Sequence, residues 1–255
     1  MSETSSSLGR PAPERIHAVL FDAGQTLIRP SSPVEQIYAL HARPGRPVTP
    51  ELREEVRRSF RALFDAERQR MASGADDYAA SDEADYALWK RLCYAVAERV
   101  PGLTDDPQSW FETLYAEFGR PETWQVFSDT WPTLRVLAER GIVLGVVSNW
   151  DSRLQGILEG LGLAAPMRVI LISAREGARK PGPRIFSMAL DALGLAPEHV
   201  LMVGDSVTDD VEGAWGSGLH GVLIHRSPRA EPPPGIPAVR SLTELLAWPC
   251  LAGSR

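Results

Sequence analysis

The chain has 255 residues, 44% apolar and 24% charged, enough for one sizeable core and room for a smaller second one. Its 27 basic and 33 acidic side chains leave a net charge of −6, which argues against nucleic acid and anionic membrane as partners. The two cysteines, Cys93 and Cys250, lie far apart without His or Cys at ligand spacing, which argues against a disulfide framework or zinc site and fits a reducing cytoplasm.

Met1–Pro13 bears Ser, Pro and Glu without an apolar stretch and reads as a flexible tail rather than a signal peptide. Ile16–Phe21 is a continuous apolar run ending in Asp22-Ala23-Gly24, the pattern of a parallel strand buried on both faces and followed by a turn. From Pro33 to about Gly119 the period is helical. Helices are expected at Pro33–Ala42, from Thr49-Pro50 with Leu52, Val56, Phe60 and Leu63/Phe64 on one face, at Asp82–Arg99 and at Pro107–Phe118. The polar stretch Ala72–Ser81 reads as a loop.

After Pro121, helices at Trp131–Arg140, Ser152–Gly160, Arg184–Leu193 and Asp210–Gly216 alternate with strands at Ile142–Val147, Val169–Ile172, Val200–Val203 and Gly221–Ile224. Arg226–Pro237 reads as extended and Leu242–Trp248 as a last short helix. The pattern predicts an α/β fold, a doubly wound parallel (Rossmann-like) sheet with an α-helical cap inserted after its first strand. Residues 1–13 would be a tail, 14–28 and 121–255 the α/β core, and 29–120 the cap.

Ligands of open α/β sheets bind beyond the carboxyl ends of the strands. Polar residues cluster there four times: Asp22 to Thr26, Ser148-Asn149, Lys180, and Gly204-Asp205 through Asp210. Taken singly, Asp22 reads as an Asx turn, Ser148-Asn149 and Asp209/Asp210 as helix caps, and Lys180 as a surface charge. Taken together, carboxylates gathered at one sheet edge need a cation or a proton among them, which points to Mg2+. Only Lys90 and Lys180 are lysine and every other basic residue is arginine, so a retained ammonium is itself a signal.

These clusters, AVLFDAGQTL, GVVSNWD, GARKPGPRIF and VLMVGDSVTDD in this order, resemble the four motifs of the haloacid dehalogenase-like hydrolase superfamily, and the helical insertion resembles its cap. Within it, SNWDSRLQGILEGLGL followed by KPGPRIF resembles the group of haloacid dehalogenase-like hydrolase domain-containing protein 3. The resemblance implies a nucleophile at Asp22, which would form an aspartyl-phosphate. It implies Mg2+ bound by Asp22, the Gly24 carbonyl, Asp205 and Asp210, with Asp209 the lesser candidate. Phosphoryl oxygens would meet Ser148, Asn149 and Lys180, and Thr26 would orient the turn. The partner would be a small phosphorylated molecule, and the protein a cytoplasmic monomer or homodimer.

One departure bears on function. Phosphomonoesterases of this superfamily carry a second Asp two residues after the nucleophile as general acid and base, and here that position is Gly24. Losing such a group costs about 10² to 10⁴ in rate. The main reading is a Mg2+-dependent phosphatase for good leaving groups, or one with an acid supplied by the cap. Alternatives are a phosphonatase-like C–P hydrolase using Lys90 as Schiff base, a metal-free dehalogenase, and a noncatalytic phosphoryl- or metal-binding module. Trp89, Trp110 and Trp124 read as core or as pocket lining. His17, His41, His199, His220 and His225 lack metal spacing and read as structural or solvent-facing.

Overall fold

A computed structural model describes residues 15–42, 47–72, 79–228 and 230–252. The expected tail at 1–13 and most of the 72–81 loop lie outside the described residues. The first apolar run forms β1 (Ala18–Phe21), a central strand buried throughout because helices cover both faces of its sheet. It pairs in parallel with β4 (Val143–Ser148) and β6 (Val200–Gly204), so that Phe21 faces Val146 on one side and Val203 on the other.

Outside these come β5 (Val169–Ile172) beside β4, then β7 (His220–Ile224) and β8 (Ala238–Val239) beyond β6. The resulting six-stranded parallel sheet has the order β5-β4-β1-β6-β7-β8. Its pleat sends alternate residues to opposite faces. Val19, Phe21, Val146 and Val203 pack on one face with Leu134, Leu137 and Leu154 of the helices α5 (Thr130–Glu139) and α6 (Arg153–Gly160). Ala18, Leu20, Val200 and Met202 pack on the other with Ile185 and Phe186 of α8 (Pro183–Leu193).

Two short antiparallel strands absent from the sequence reading, β2 (Ile28–Pro30) and β3 (Trp124–Val126), form the two crossings between sheet and helical layer. At three residues each they are too short to show alternation. Between them lie α1 (Val34–Ala42), α2 (Pro50–Ala72), α3 (Asp82–Arg99) and α4 (Pro107–Glu117). Thr49 caps its helix as expected, its Oγ1 accepting from Leu52 N, and the structure adds two more caps: Ser81 Oγ accepts from Ala84 N and an Asp106 carboxylate oxygen from Ser109 N. The cap has its own core of Tyr38, Val56, Val96, Trp110, Phe111 and Leu114.

The expected helix Asp210–Gly216 divides into a wide turn over Val207–Glu212 and a short helix α9 (Gly213–Gly216). The short helix α7 (Ser173–Glu176) follows β5 directly. No described helix is long and apolar enough to cross a membrane.

Candidate active site

Asp22 stands immediately beyond β1, at the centre of the sheet's carboxyl edge, where its own N–H still donates to Val203 O at 2.9 Å. The residue is mostly but not wholly enclosed, 8% exposed. Ser148 Oγ, at the end of β4, donates to Asp22 Oδ1 at 2.9 Å, and Lys180 Nζ donates to the same oxygen at 2.8 Å. Neither bond uses Oδ2. Lys180 Nζ also donates to Asp210 Oδ1 at 2.5 Å. Three chain-distant predicted residues thus converge on one ammonium or its carboxylate partner, which disposes of the capping and surface-charge readings for Ser148 and Lys180.

Burial by itself would lower the Lys180 pKa, but the Asp210 and Asp22 carboxylates outweigh it and hold the ammonium protonated well above the ordinary lysine range. One cation serves two buried acids, so one acid is under-compensated. Burial pushes Asp210 up, to about 6; Lys180 pulls it back only in part, and the Asp22 charge adds to the rise. The second Asp210 oxygen accepts from Ser206 N at 2.9 Å.

Asn149 contributes through its side chain, which makes a two-way clasp with the Lys180 backbone: Nδ2 donates to Lys180 O at 2.9 Å, and Lys180 N donates to Oδ1 at 2.8 Å. The β4 loop therefore positions the lysine directly. Asp205 lies exposed at the end of β6, while Asp209 takes its N–H to Ser206 Oγ at 3.1 Å within the turn that carries Asp210. Thr26 is fully buried and its hydroxyl meets no hydrogen-bond partner. The turn is held instead from outside by Arg226, whose guanidinium donates to the carbonyls of Gln25 and Thr26, pairs with Asp129 and lies over the Phe127 ring.

Two glycines shape the pocket. A Cβ on Gly204 would lie 2.1 Å from the Asp210 carboxyl carbon, so only glycine at the end of β6 leaves room for that carboxylate. A Cβ on Gly24 would lie 3.2 Å from the Trp150 ring. Sequence reasoning gave Arg226 and Trp150 no role and named Gly204 only as the start of the cluster running to Asp210. The only advance signals were Gly before Asp in GDSVTDD and Trp inside SNWD.

The donor chemistry suits a hard divalent cation, since Asp22 follows β1 while Asp205 and, in the next turn, Asp210 follow the neighbouring β6, and all three are carboxylates. Among the described residues no group of three or more His, Cys, Asp or Glu is arranged to hold a metal ion, and Lys180 Nζ bridges the two buried acids.

The remaining candidates lie elsewhere. Lys90 Nζ sits over the Tyr94 ring of its own helix, 5.5 Å from the centroid, and Trp89 stacks on Phe60 and Phe64. Trp110 is 2% exposed in the cap core and donates to Tyr38 O. Trp124 reaches the site's edge, 4.9 Å from Trp150 between ring centres. His17 and His199 stack on each other, and His220 and His225 have backbone carbonyl partners.

A family model described as haloacid dehalogenase-like hydrolase matches residues 16–218. The chain belongs to this hydrolase family. It is 33% identical to human haloacid dehalogenase-like hydrolase domain-containing protein 3 across 94% of this chain and 96% of that protein. It is 36% identical to phosphoserine phosphatase of Thermus thermophilus over 52% of this chain and 54% of that one. In fold it is similar to the magnesium-bound HAD-hydrolase YfnB of Bacillus subtilis, with a TM-score of 0.67 at 21% identity over 91% of this chain and 97% of that one.

Proposed function

We propose that the protein is a Mg2+-dependent phosphatase of small phosphorylated molecules that works through an aspartyl-phosphate at Asp22. The observation that carries this reading is the pinning of one Asp22 oxygen by Ser148 and Lys180, which leaves Oδ2 to attack. In the first step Oδ2 bonds to phosphorus while the bond from phosphorus to the leaving oxygen breaks, its electron pair departing with the leaving group. Water then attacks phosphorus, the bond to Asp22 breaks, and inorganic phosphate and the free carboxylate result. The water's proton goes to solvent or phosphate.

Ser148 and Lys180 would bind the phosphoryl oxygens, with Asn149 fixing Lys180 and adding its backbone N–H. Mg2+ would be held by Asp22, the Gly24 carbonyl and Asp205, with Asp210 bound directly or through water. It would neutralise phosphoryl charge during transfer. The insertion at 29–120 would close over this edge from the β2–β3 crossing and exclude water. The similarity to a phosphoserine phosphatase over half the chain supports the reaction class.

The test is Mg2+-dependent hydrolysis of an aryl and an acyl phosphate by wild type and Asp22→Asn. Turnover that drops at least about 10³-fold in the variant, with the thermal midpoint retained, is the expected result. Wild-type rates no higher than those of Asp22→Asn on both substrates would overturn it. If inorganic phosphate with Mg2+ then still raised the thermal midpoint, the noncatalytic binding module would take its place.

A further inference from the structure

We propose that Trp150 is the leaving-group wall of this site, matched in size to Gly24, and that the pair selects aryl phosphates, whose flat leaving group departs without a proton from the protein. The substrate class rests on the phosphatase reading; the Gly24–Trp150 match does not.

Gly24 stands two residues after Asp22 in the same turn, at the position where the resembling phosphomonoesterases carry their general acid. A Cβ placed there finds Trp150 Cζ3 at 3.2 Å and Cη2 at 3.9 Å, and no other heavy atom within 4 Å outside the neighbouring residues. The room a longer residue 24 would enter is thus bordered by the edge of an indole ring. The backbone that carries the ring is held on both its polar atoms. Trp150 N donates to Ser173 Oγ at 3.0 Å, and Trp150 O accepts from Ser173 Oγ at 3.1 Å and from Ala174 N at 3.2 Å.

Its indole meets Trp124 edge to face, and Trp124 is in turn fixed by donating Nε1–H to Phe118 O at 3.0 Å. Trp150 nevertheless remains partly exposed. An indole can offer a π surface and one neutral N–H, but it cannot protonate an alkoxide. A leaving group served by this wall must be stable as an anion and gains affinity by lying flat on a ring. Phenolates meet both conditions; sugar and glycerol alkoxides meet neither.

The pairing also predicts that an acid at residue 24 and the indole compete for one space. The Cβ of a Gly24→Asp variant would lie 3.2 Å from Trp150 Cζ3, a contact the ring relieves only by giving way a few tenths of an ångström, and truncating Trp150 removes the conflict.

The experiment compares wild type, Trp150→Ala, Trp150→Phe, Gly24→Asp and the double variant Gly24→Asp/Trp150→Ala on p-nitrophenyl phosphate, acetyl phosphate and glycerol phosphate. Trp150→Ala should raise KM for the aryl substrate about 5- to 10-fold and leave kcat/KM for acetyl phosphate within about twofold, while Trp150→Phe keeps the aryl KM. Glycerol phosphate hydrolysis should rise about 10²-fold in the double variant and in neither single one. Thermal midpoints should be coupled, Gly24→Asp lowering Tm in wild type but much less in the Trp150→Ala background.

An unchanged aryl KM in Trp150→Ala, or a Gly24→Asp protein equal to the double variant in Tm and glycerol phosphate turnover, overturns the proposal. Should no protein turn over any phosphate, the phosphatase reading fails. Calorimetry then decides the wall separately: phenylphosphonate should bind more weakly to Trp150→Ala while methylphosphonate is unaffected, and equal losses for both sink it.

Discussion

The carboxyl edge of the sheet and the helical cap answer the burial of polar groups in opposite ways. At the sheet edge, Lys180 and Asp210 are almost entirely enclosed, at 2% and 1% exposure, and survive there because each is bonded to another charge or to backbone. In the cap the interior is aromatic, with Tyr38 meeting Phe60, Trp110 and Phe118 edge to face.

The join between the two regions adds polar contacts to the Phe118–Trp124–Trp150 ring cluster. Asp82 at the start of α3 accepts from Ser152 N at 2.7 Å and from Ser152 Oγ at 2.6 Å, and Arg153 lies over the Tyr115 ring. Chemistry therefore sits where parallel strands hold it rigidly, and the cap contributes shape through contacts that can part at low cost.

The sharpest way to break this contrast is Lys180→Met. Removing the ammonium leaves Asp22 and Asp210 buried without their shared counter-charge, so denaturant unfolding at pH 8 should show a loss of about 3–5 kcal/mol together with lost turnover. The loss should shrink toward pH 5, where Asp210 takes up a proton. A loss near zero at pH 8 would mean that the strand-end charges are not under the tension described.

Gly204→Ala should follow at about 1–3 kcal/mol, because the new methyl takes the space of the Asp210 carboxyl group and forces it off Lys180 or Ser206. Unchanged stability in the same unfolding assay would place that carboxylate elsewhere.

The smallest effect belongs to the join. Burial, then Asp151, raise the Asp85 carboxyl to about 6, with Asp82 adding and Arg179 and Arg153 opposing. An acid whose pKa is higher folded than unfolded stabilises at pH below its ordinary 3.8 and loses that contribution as pH rises through about 6. Asp85→Asn removes this slope. It should match wild type near pH 4 and exceed it at pH 8 by about 1 kcal/mol, or about 2–4 °C in Tm, allowing for solvent screening. Parallel pH profiles for the two proteins would contradict the assignment.

Much of this molecule was legible beforehand because its signals are local. The β1 run is apolar without alternation since both its faces are covered, and Thr49 marks a helix start through a bond made within three residues. Asp22, Ser148 and Lys180 could be brought together by strand order alone, since parallel strands carry their following residues to one edge.

The β2–β3 crossing was not legible, because three-residue strands are defined by their partner and not by their own pattern. Neither was Arg226, which lies in a segment read as an extended tail yet clamps the turn of residues 25 and 26 from about 200 positions away. Asn149 was assigned to phosphoryl binding through its backbone, whereas its side chain is committed to Lys180.

The sequence by itself determined the order of the long helices and the buried strands, the inserted helical layer, and which residues stand at the strand ends, since hydrophobic period is written in neighbouring residues. Only the tertiary structure decided which acid shares the lysine, why residue 204 has no side chain, and what fills the space beside residue 24. Those are questions of volume and charge between segments far apart in the chain, and packing density admits one occupant to each place.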